Sequence, residues 1–314
     1  MRQNAWLERA IKAAVALTLL AFLFPTGLHA ATAETPQKTF SSPEDAVAAM
    51  VGALRNGPLS VVTTIVGSGS GDWLLSRDEV ADRAAAARFV AAYDAKHKIR
   101  HEGASRAVLT VGVDDWPMPV PLVRTGMRWS FDATAGRDEV LARRIGRNEL
   151  DTIQVLKAMV DAQIEYARAD WIGTGQPAYA QKFASSPGKK NGLYWPVIDG
   201  EPMSPLGPLV AQAATEGYTT ANLTPYRGYL FRILTGQGSS APGGAFDYVA
   251  KGAMIGGFAI VAYPANYGVS GVMTFLISHD GFVYQKDLGP TTAQLASKMA
   301  RFDPGPGWQK VPDR

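Results

Sequence analysis

Residues 269–288 read VSGVMTFLISHDGFVYQKDL, in which the tripeptide at 279–281 separates two apolar runs. An Asp-Gly pair between two such runs is a strong signal for a β-hairpin, because glycine readily adopts the positive φ of a tight turn. Two further strand patterns, at residues 226–234 and 256–263, precede the hairpin. The last third of the chain is therefore expected to form an antiparallel sheet.

Helix patterns occupy other parts of the chain. The sequence SPED at 42–45 has a capping serine, a proline at the first helical position and acidic residues in the first turn, which predicts a helix. A second helix is predicted from Asp78 to about Lys98, and Asn148 is predicted to cap a long amphipathic helix. Three shorter helices are predicted at residues 179–184, 206–215 and 291–300.

The order of these patterns indicates the fold class. Strand patterns fill residues 106–132, between the first helices and the long one, and they do not alternate with helices. Segregated helices and antiparallel strands favour an α+β fold over a doubly wound sheet. We expect N-terminal helices with a small antiparallel sheet, and then a long helix with a second antiparallel sheet.

The first thirty or so residues have the pattern of a secretory signal peptide. Basic residues precede an apolar run at 13–24, and small residues follow, so we expect cleavage before Ala31 or Glu34. The apolar run is 12 residues long, which is shorter than the roughly 20 helical residues that cross a bilayer. Residues 1–33 are therefore predicted to be removed, leaving a soluble protein that is periplasmic or secreted.

Composition excludes several classes of function. The chain has no cysteine, so it forms no disulfide and has no lipobox, and no later stretch is apolar enough to anchor the mature form in a membrane. Removing the predicted leader takes away three basic residues and one acidic residue, which lowers the formal net charge from +3 to +1. Nucleic-acid binding requires a concentrated positive surface, so we expect no nucleic-acid partner.

Several long strings resemble one bacterial family. They include DDWPMPVPLV from residue 114, ARRIGRNEL from residue 142, NGLYWP from residue 191 and APGGAFDYV from residue 241. In this order they are similar to the exported family called "domain of unknown function 2950" (DUF2950), over nearly the whole mature chain. Membership of this family implies no established activity.

Two likenesses at the level of fold suggest how the chain is divided. Residues 34–146 resemble domains of the nuclear-transport-factor-2 (NTF2)-like or cystatin-like type. Residues 147–303 are similar to the soluble part of type IV pilins and pseudopilins, which implies a pilin-like sheet beside the long helix. Residues 304–314 would then be a tail. Folds of these kinds support both enzymes and binding modules.

Asp114 and Asp115 precede Trp116 where a predicted strand ends. Two carboxylates beside an aromatic ring are the components of an acid/base pair or of a sugar-binding platform. Aspartates also end strands and cap turns for structural reasons, which is the more common situation. We treat the three residues as candidate binding residues.

Tyr194 and Trp195 lie in a long predicted loop, residues 173–207, near Lys189 and Lys190. Exposed aromatic residues on loops are typical of recognition surfaces. The same rings can instead fill the core, and both alternatives stay open at this point. The two residues complete the set of candidate binding residues.

No pattern of metal ligands or of a catalytic nucleophile is complete. His97 and His101 are four residues apart, but the basic residues around them disfavour a cation. Ser186 and Lys189 match the Ser-x-x-Lys pattern of penicillin-recognising enzymes without the partner motifs of that class. Asp170 is the one carboxylate of a glycine-containing loop, and one acid does not hold calcium. We therefore expect no catalytic residue, no metal and no cofactor.

These observations favour an exported, non-catalytic, envelope-associated binding module with a protein or glycan partner. One alternative is an envelope hydrolase that uses Asp114 or Asp115 as general base. Another is a pilin-like assembly factor or secretion accessory factor. Whether the protein is an enzyme stays open, although the missing nucleophile and metal set favour a protein without catalytic activity.

Overall fold

The computed structural model describes residues 36–67, 69–197, 200–201, 203–219 and 225–312, so the predicted signal peptide lies outside the described residues. The N-terminal part contains helices α1 (Pro43–Asn56), α2 (Leu59–Val66), α3 (Gly71–Leu74) and α4 (Glu79–Ala95), and strands β1 (His97–His101), β2 (Arg106–Val111), β3 (Trp116–Pro117), β4 (Leu122–Thr125) and β5 (Arg128–Phe131). Helix α5 (Ala133–Tyr166) follows.

The C-terminal part contains two further helices and ten strands among the described residues. They are α6 (Gly207–Thr215), β6 (Tyr229–Leu234), β7 (Gly236–Gln237), β8 (Phe246–Asp247), β9 (Val249–Ala250), β10 (Ala253–Met254), β11 (Ala259–Pro264), β12 (Met273–Ser278), β13 (Val283–Asp287), α7 (Thr292–Ala296), β14 (Arg301–Phe302) and β15 (Gln309–Lys310).

Helix α1 begins where the sequence predicts. The Ser42 hydroxyl accepts a hydrogen bond from the Asp45 N–H at 3.1 Å, and Pro43 occupies the first helical position. The helix buries Val47 and Met50 in a hydrophobic cluster that also contains side chains of α2 and of the N-terminal sheet. The N-terminal part thus has its own apolar core.

The N-terminal sheet is antiparallel in the order β1-β2-β4-β5, and the short strand β3 pairs with β2. The helix predicted to reach Lys98 ends at Ala95 instead. The Gly112 N–H donates to the carbonyls of both Ala92 and Lys96, and residues His97–His101 pair with β2 over their full length. Pairing with the buried strand therefore determines the conformation of this segment, against the local helix pattern.

Helix α5 begins sixteen residues before the predicted start, because its cap is Asp132 and not Asn148: the Asp132 carboxylate accepts from the Ala135 N–H. The prediction that Asn148 caps a helix is wrong. Asn148 is buried within α5, where its Nδ2 donates to the carbonyl of Ser270 at 2.8 Å. The helix has 34 residues and is therefore about 50 Å long.

Helix α5 belongs to both hydrophobic clusters. Val140 and Leu141 pack against the N-terminal cluster, whereas Leu156 and Val160 are buried in the C-terminal one. The helix continues without a break through residue 147, where the sequence suggests a division of the chain.

The C-terminal sheet has the order β15-β13-β12-β11-β6, and its neighbouring strands are antiparallel. The predicted hairpin is confirmed: β12 and β13 pair from Ile277 with Val283 outward, and Gly281 in the turn has φ 77°. Every residue of β11 is buried, so this central strand lies in the C-terminal core.

The loop between α5 and α6 is extended. The short helix predicted at residues 179–184 is wrong, because Tyr179 forms a β-bridge with Met254. The buried Gln163 amide donates to the Ala180 carbonyl and accepts from the Ala180 N–H, at 2.8 and 2.9 Å. Tertiary hydrogen bonds thus replace the helical ones.

Asp78 joins the start of α4 to the C-terminal part. Its carboxylate accepts from the Ala81 N–H, the Tyr218 hydroxyl and the Gly228 N–H, at 2.9, 2.7 and 2.9 Å. Burial raises the pKa of the Tyr218 phenol, and the hydrogen bond to Asp78 raises it further. Asp78 is 2% exposed, so this junction is closed to water.

The architecture confirms the predicted α+β fold class, because in each part helices are followed by a five-stranded antiparallel sheet. Helix α6 confirms the predicted segment at residues 206–215, and α7 is shorter than predicted. None of the helices in the described ranges combines the length and apolar composition needed to cross a bilayer.

Candidate functional site

A cavity of about 430 Å³ lies in the N-terminal part of the fold. Its walls are formed by helices α1, α2, α4 and α5 and by the N-terminal sheet, with apolar side chains that include Met50, Val62, Phe89, Val111 and Val120. Cavities of about 300–1,000 Å³ with mostly apolar walls are typical of small-molecule sites. The cavity is therefore the candidate functional site.

The cavity exists because α4 brings small side chains to it. Residues 84–87 are four consecutive alanines, and Ala85, Ala86 and Ala92 line the cavity. Alanine favours a helix but ends at Cβ, so α4 leaves unfilled the space between itself and the neighbouring elements. The same sequence that forms the helix therefore also forms the cavity.

Four arginines and one carboxylate supply the charge of the cavity wall. Arg88 and Asp82 come from α4, whereas Arg143, Arg144 and Arg147 come from α5. Arg147 is four residues after Arg143 and three after Arg144, so the three side chains share one side of the helix. The wall thus combines apolar surface with an excess of positive charge.

Arg144 is bound into the fold. Its guanidinium donates to the carbonyls of Trp73 and Leu74, which end helix α3. Burial lowers the pKa of Arg144, and the charge of Asp82 opposes that shift. Burial raises the pKa of Asp82, whereas hydrogen bonds from the backbone and hydroxyl of Ser76 lower it. These two groups stabilise the wall in addition to charging it.

Arg143 lies over the ring of Trp116, with its Cζ 4.2 Å from the ring centroid. It also forms an ion pair with Glu139 one turn earlier. Its Nη1 is buried and has no hydrogen-bond partner in the described part of the chain. Trp116 is 41% exposed, so this cation–π pair lies where the cavity wall meets solvent.

Of the predicted binding residues Asp114, Asp115 and Trp116, the structure places one at the cavity. Trp116 lines the cavity, whereas Asp114 and Asp115 do not. Both carboxylates are exposed, and Asp115, which has φ 50°, forms an ion pair with Lys96 at 2.7 Å. The fold therefore does not aim these two carboxylates at the cavity.

The other two predicted residues lie in the C-terminal part. Trp195 is 6% exposed and packs on Tyr166 and Trp171, with ring centroids 6.4 and 5.1 Å away. Tyr194 is half-buried, and its N–H donates to the Phe183 carbonyl. The Trp195 ring thus belongs to the core, and neither residue lines the cavity beside Trp116.

The histidines that we considered as metal ligands lie on strand β1. Residues four apart on a strand are about 13 Å apart, and each ring contacts an aromatic neighbour. His97 stacks on Tyr93 at 3.7 Å, and His101 meets the edge of Trp129 at 6.1 Å. Over the described ranges, no group of three or more His, Asp or Glu side chains is arranged to hold a metal.

The other two motifs have local partners. The Ser186 hydroxyl accepts from Lys182 Nζ at 2.8 Å, whereas Lys189 forms a backbone turn with Ser186. The Asp170 carboxylate accepts from the backbone N–H groups of Thr174 and Gly175, which lowers the pKa of Asp170. Asp170 thus closes its own loop.

Sequence reasoning missed the arginines of α5. Their string, ARRIGRNEL, contributes to the family resemblance, but its spacing was not interpreted as the basic side of a helix. That interpretation required the correct start of α5, because a helix beginning at Asn148 excludes Arg143, Arg144 and Arg147. The spacing of the three arginines would have indicated a basic helix side if the helix had been predicted to begin before them.

Comparison with known proteins identifies a family. The family model described as "Protein of unknown function (DUF2950)" matches residues 37–311. No match was found among curated proteins, and none among solved structures. The matched range includes the cavity, the two five-stranded sheets and the whole of α5. The chain therefore belongs to the DUF2950 family, as its sequence resemblance predicts.

Proposed function

We propose that this protein is an exported, non-catalytic binding protein of the bacterial envelope, whose N-terminal cavity holds a small molecule with an apolar body. The observation that carries the proposal is the cavity of about 430 Å³ with its apolar walls. Apolar surface gains free energy when it leaves water, so a molecule of matching shape is favoured in this space.

The composition of α4 supports a ligand-holding role over a purely structural one. Unfilled space leaves the surrounding atoms without contacts, so a helix that served only as core would bring larger side chains to this position. Helix α4 has alanine at residues 85, 86 and 92, all of which line the cavity. A bound molecule would restore the missing contacts.

Export is part of the proposal, and the leader pattern in residues 1–33 supports it. Amino-terminal sequencing of the protein from the periplasm or the medium is expected to begin at Ala31 or Glu34. Recovery of the uncleaved chain from the cytoplasmic fraction would contradict export, but it would not contradict the proposal that the cavity binds a small molecule.

The other functions stay predictions. An envelope hydrolase would depend on Asp114 or Asp115, and loss of turnover of envelope polysaccharide in Asp114→Asn or Asp115→Asn would favour it. A pilin-like role for residues 147–303 would require association with a filament or secretion complex. An envelope protein or glycan partner is compatible with this proposal, because such a partner could deliver the small molecule to the cavity or receive it from there.

The binding proposal is tested with the uncharged fluorophore N-phenyl-naphthylamine, whose emission rises when it leaves water. The wild-type protein is expected to bind it with saturation. Ala86→Phe places a large ring in the cavity and is expected to weaken binding at least about tenfold, which is about 1.4 kcal/mol. Ala87→Phe is the matched control, because Ala87 is exposed on the same helix and does not line the cavity.

Thermal unfolding of both variants verifies that they are folded. No saturable binding by the wild-type protein would refute the cavity as a site for apolar molecules. Equal weakening by the two variants would show that the fluorophore binds elsewhere.

A further inference from the structure

The charge of the cavity wall carries information about the ligand beyond its apolar body. The arginines Arg88, Arg143, Arg144 and Arg147 line the cavity, and Asp82 is the acidic residue described in its wall. Charges next to apolar, water-poor surface interact more strongly than charges in bulk water. The wall therefore favours a ligand that carries negative charge.

The four arginines differ in how far the protein neutralises them. Arg144 donates to two backbone carbonyls beside Asp82, and Arg143 has an ion pair with Glu139. Arg88 and Arg147 are exposed and have no ion pair or hydrogen bond within the described part of the chain. The cavity wall thus has two arginines without a partner among the described residues, and Arg143 adds a buried nitrogen that lacks one.

The positions of these groups separate the cavity into two regions. Arg88 on α4 and Arg147 on α5 are exposed, so the cavity reaches solvent beside them, as it does at Trp116. The lining residues that are buried, Val62 and Val111 among them, are apolar. A ligand with hydrogen-bonding groups along its body would bury them there without partners, which is unfavourable.

From this separation, and resting on the proposed binding function, we infer that the ligand is a single-chain amphipathic anion. Its hydrocarbon chain occupies the apolar region, and its carboxylate, sulfate or phosphate head lies at the opening between Arg88 and Arg147. Arginine binds such groups through two parallel N–H donors. A free fatty acid has the required chemistry.

The inference is tested by displacing N-phenyl-naphthylamine from the wild-type protein. The competitors are dodecanoate and dodecyl sulfate, each below its critical micelle concentration, dodecanol below its solubility limit, and butanoate. Both long-chain anions are expected to displace the fluorophore at a concentration at least about tenfold lower than dodecanol. Butanoate has the charge without the chain and is expected not to displace it.

Two substitutions locate the head group. Arg88→Met and Arg147→Met keep an apolar stem and remove the charge, and together they are expected to abolish the preference for dodecanoate over dodecanol. Arg137→Met is the matched control: Arg137 is exposed on α5 and does not line the cavity. Raising the salt concentration should reduce the preference in the wild-type protein, because salt screens exposed charges.

Equal displacement by dodecanol and dodecanoate would refute the anion inference and leave the apolar binding site intact. Displacement by butanoate as effective as by dodecanoate would refute the role of the hydrocarbon chain. Failure of the uncharged fluorophore to bind would refute the proposed function itself. A preference that survives in the double variant and is lost in Arg137→Met would place the anion elsewhere.

Discussion

Two glycines of helix α5 should respond in opposite directions to the same substitution. Gly136 is buried against Val120, which lies between strands β3 and β4: a Cβ added there would lie 2.5 Å from Val120 Cγ2 and 2.7 Å from Val120 Cα. Gly146, ten residues later, is exposed, and apart from its chain neighbours and the backbone of its own helix, no atom of the described residues lies within 4 Å of such a Cβ.

The size of each effect follows from these distances. Replacing glycine by alanine inside a helix favours folding by up to about 1 kcal/mol, because alanine loses less backbone freedom. Gly146→Ala should therefore raise the free energy of unfolding by about 0.5–1 kcal/mol. At Gly136 the new methyl group meets backbone atoms that cannot move alone, and overpacking costs about 1–3 kcal/mol. The net effect of Gly136→Ala should be a loss of about 1–2 kcal/mol.

Urea unfolding followed by circular dichroism measures both values from the transition midpoint and slope. Because Val120 lines the cavity, Gly136→Ala should also weaken binding of N-phenyl-naphthylamine, whereas Gly146→Ala should not. If the two variants shift stability in the same direction, then α5 does not approach Val120 as closely as described.

Three further predictions concern buried polar groups. Tyr218→Phe removes a hydrogen bond to the buried carboxylate of Asp78 and should cost about 1.5–3 kcal/mol in urea unfolding, as expected for hydrogen bonds to charged groups. Gln163→Met leaves the N–H and carbonyl of Ala180 without their side-chain partner and should cost at least about 2 kcal/mol by the same measurement. Burial raises the pKa of Tyr166 to about 12, so its stabilising contribution is complete below about pH 10, where unfolded tyrosine titrates, and is lost as the pH rises towards 12.

Each of these predictions has a control. Tyr267→Phe removes a hydroxyl that donates to the exposed Asp287, and it should change stability by less than about 0.5 kcal/mol. Gln181→Met removes an exposed amide that donates to the Gly252 carbonyl, and it should likewise change stability by less than about 0.5 kcal/mol. Equal losses in the buried and exposed members of either pair would contradict the argument from burial. Other tyrosines titrate in the same range, so the control is Tyr166→Phe: a dependence of stability on pH between about 10 and 12 that is the same with and without this substitution would contradict the titration of Tyr166.

Local signals predicted those parts of the fold that local chemistry determines. The capping group at residues 42–45 and the turn at 279–281 act within a few residues, and both are confirmed. The helix prediction failed at residues 97–101 because this segment pairs with β2 as a strand, and a local helix pattern cannot reveal a partner elsewhere in the chain. The prediction of Asn148 as a helix cap failed for a related reason, since its side chain is hydrogen-bonded to the distant Ser270 carbonyl.

The candidate site was less accessible to sequence reasoning than the fold. Trp116 was recognised, because an aromatic residue beside two carboxylates is a local pattern. The cavity arises because α4 has small side chains at Ala85 and Ala86. These alanines indicate a cavity only once the elements that face them are known. Arg88 and Arg147 likewise become neighbours of one space only through the packing of α4 and α5.

The continuity of α5 has a consequence for how this protein can be divided, in the laboratory or in evolution. Its first half carries arginines that the cavity needs, and its second half carries Leu156 and Val160, which the C-terminal core needs. A fragment ending at residue 146 would expose a fraying helix end next to Arg143 and Arg144, and the complementary fragment would begin in the middle of a helical turn. Gene fusions that use the cavity-containing part alone should therefore include α5 to its end at Tyr166 and replace the apolar residues on the second half of α5 with polar ones.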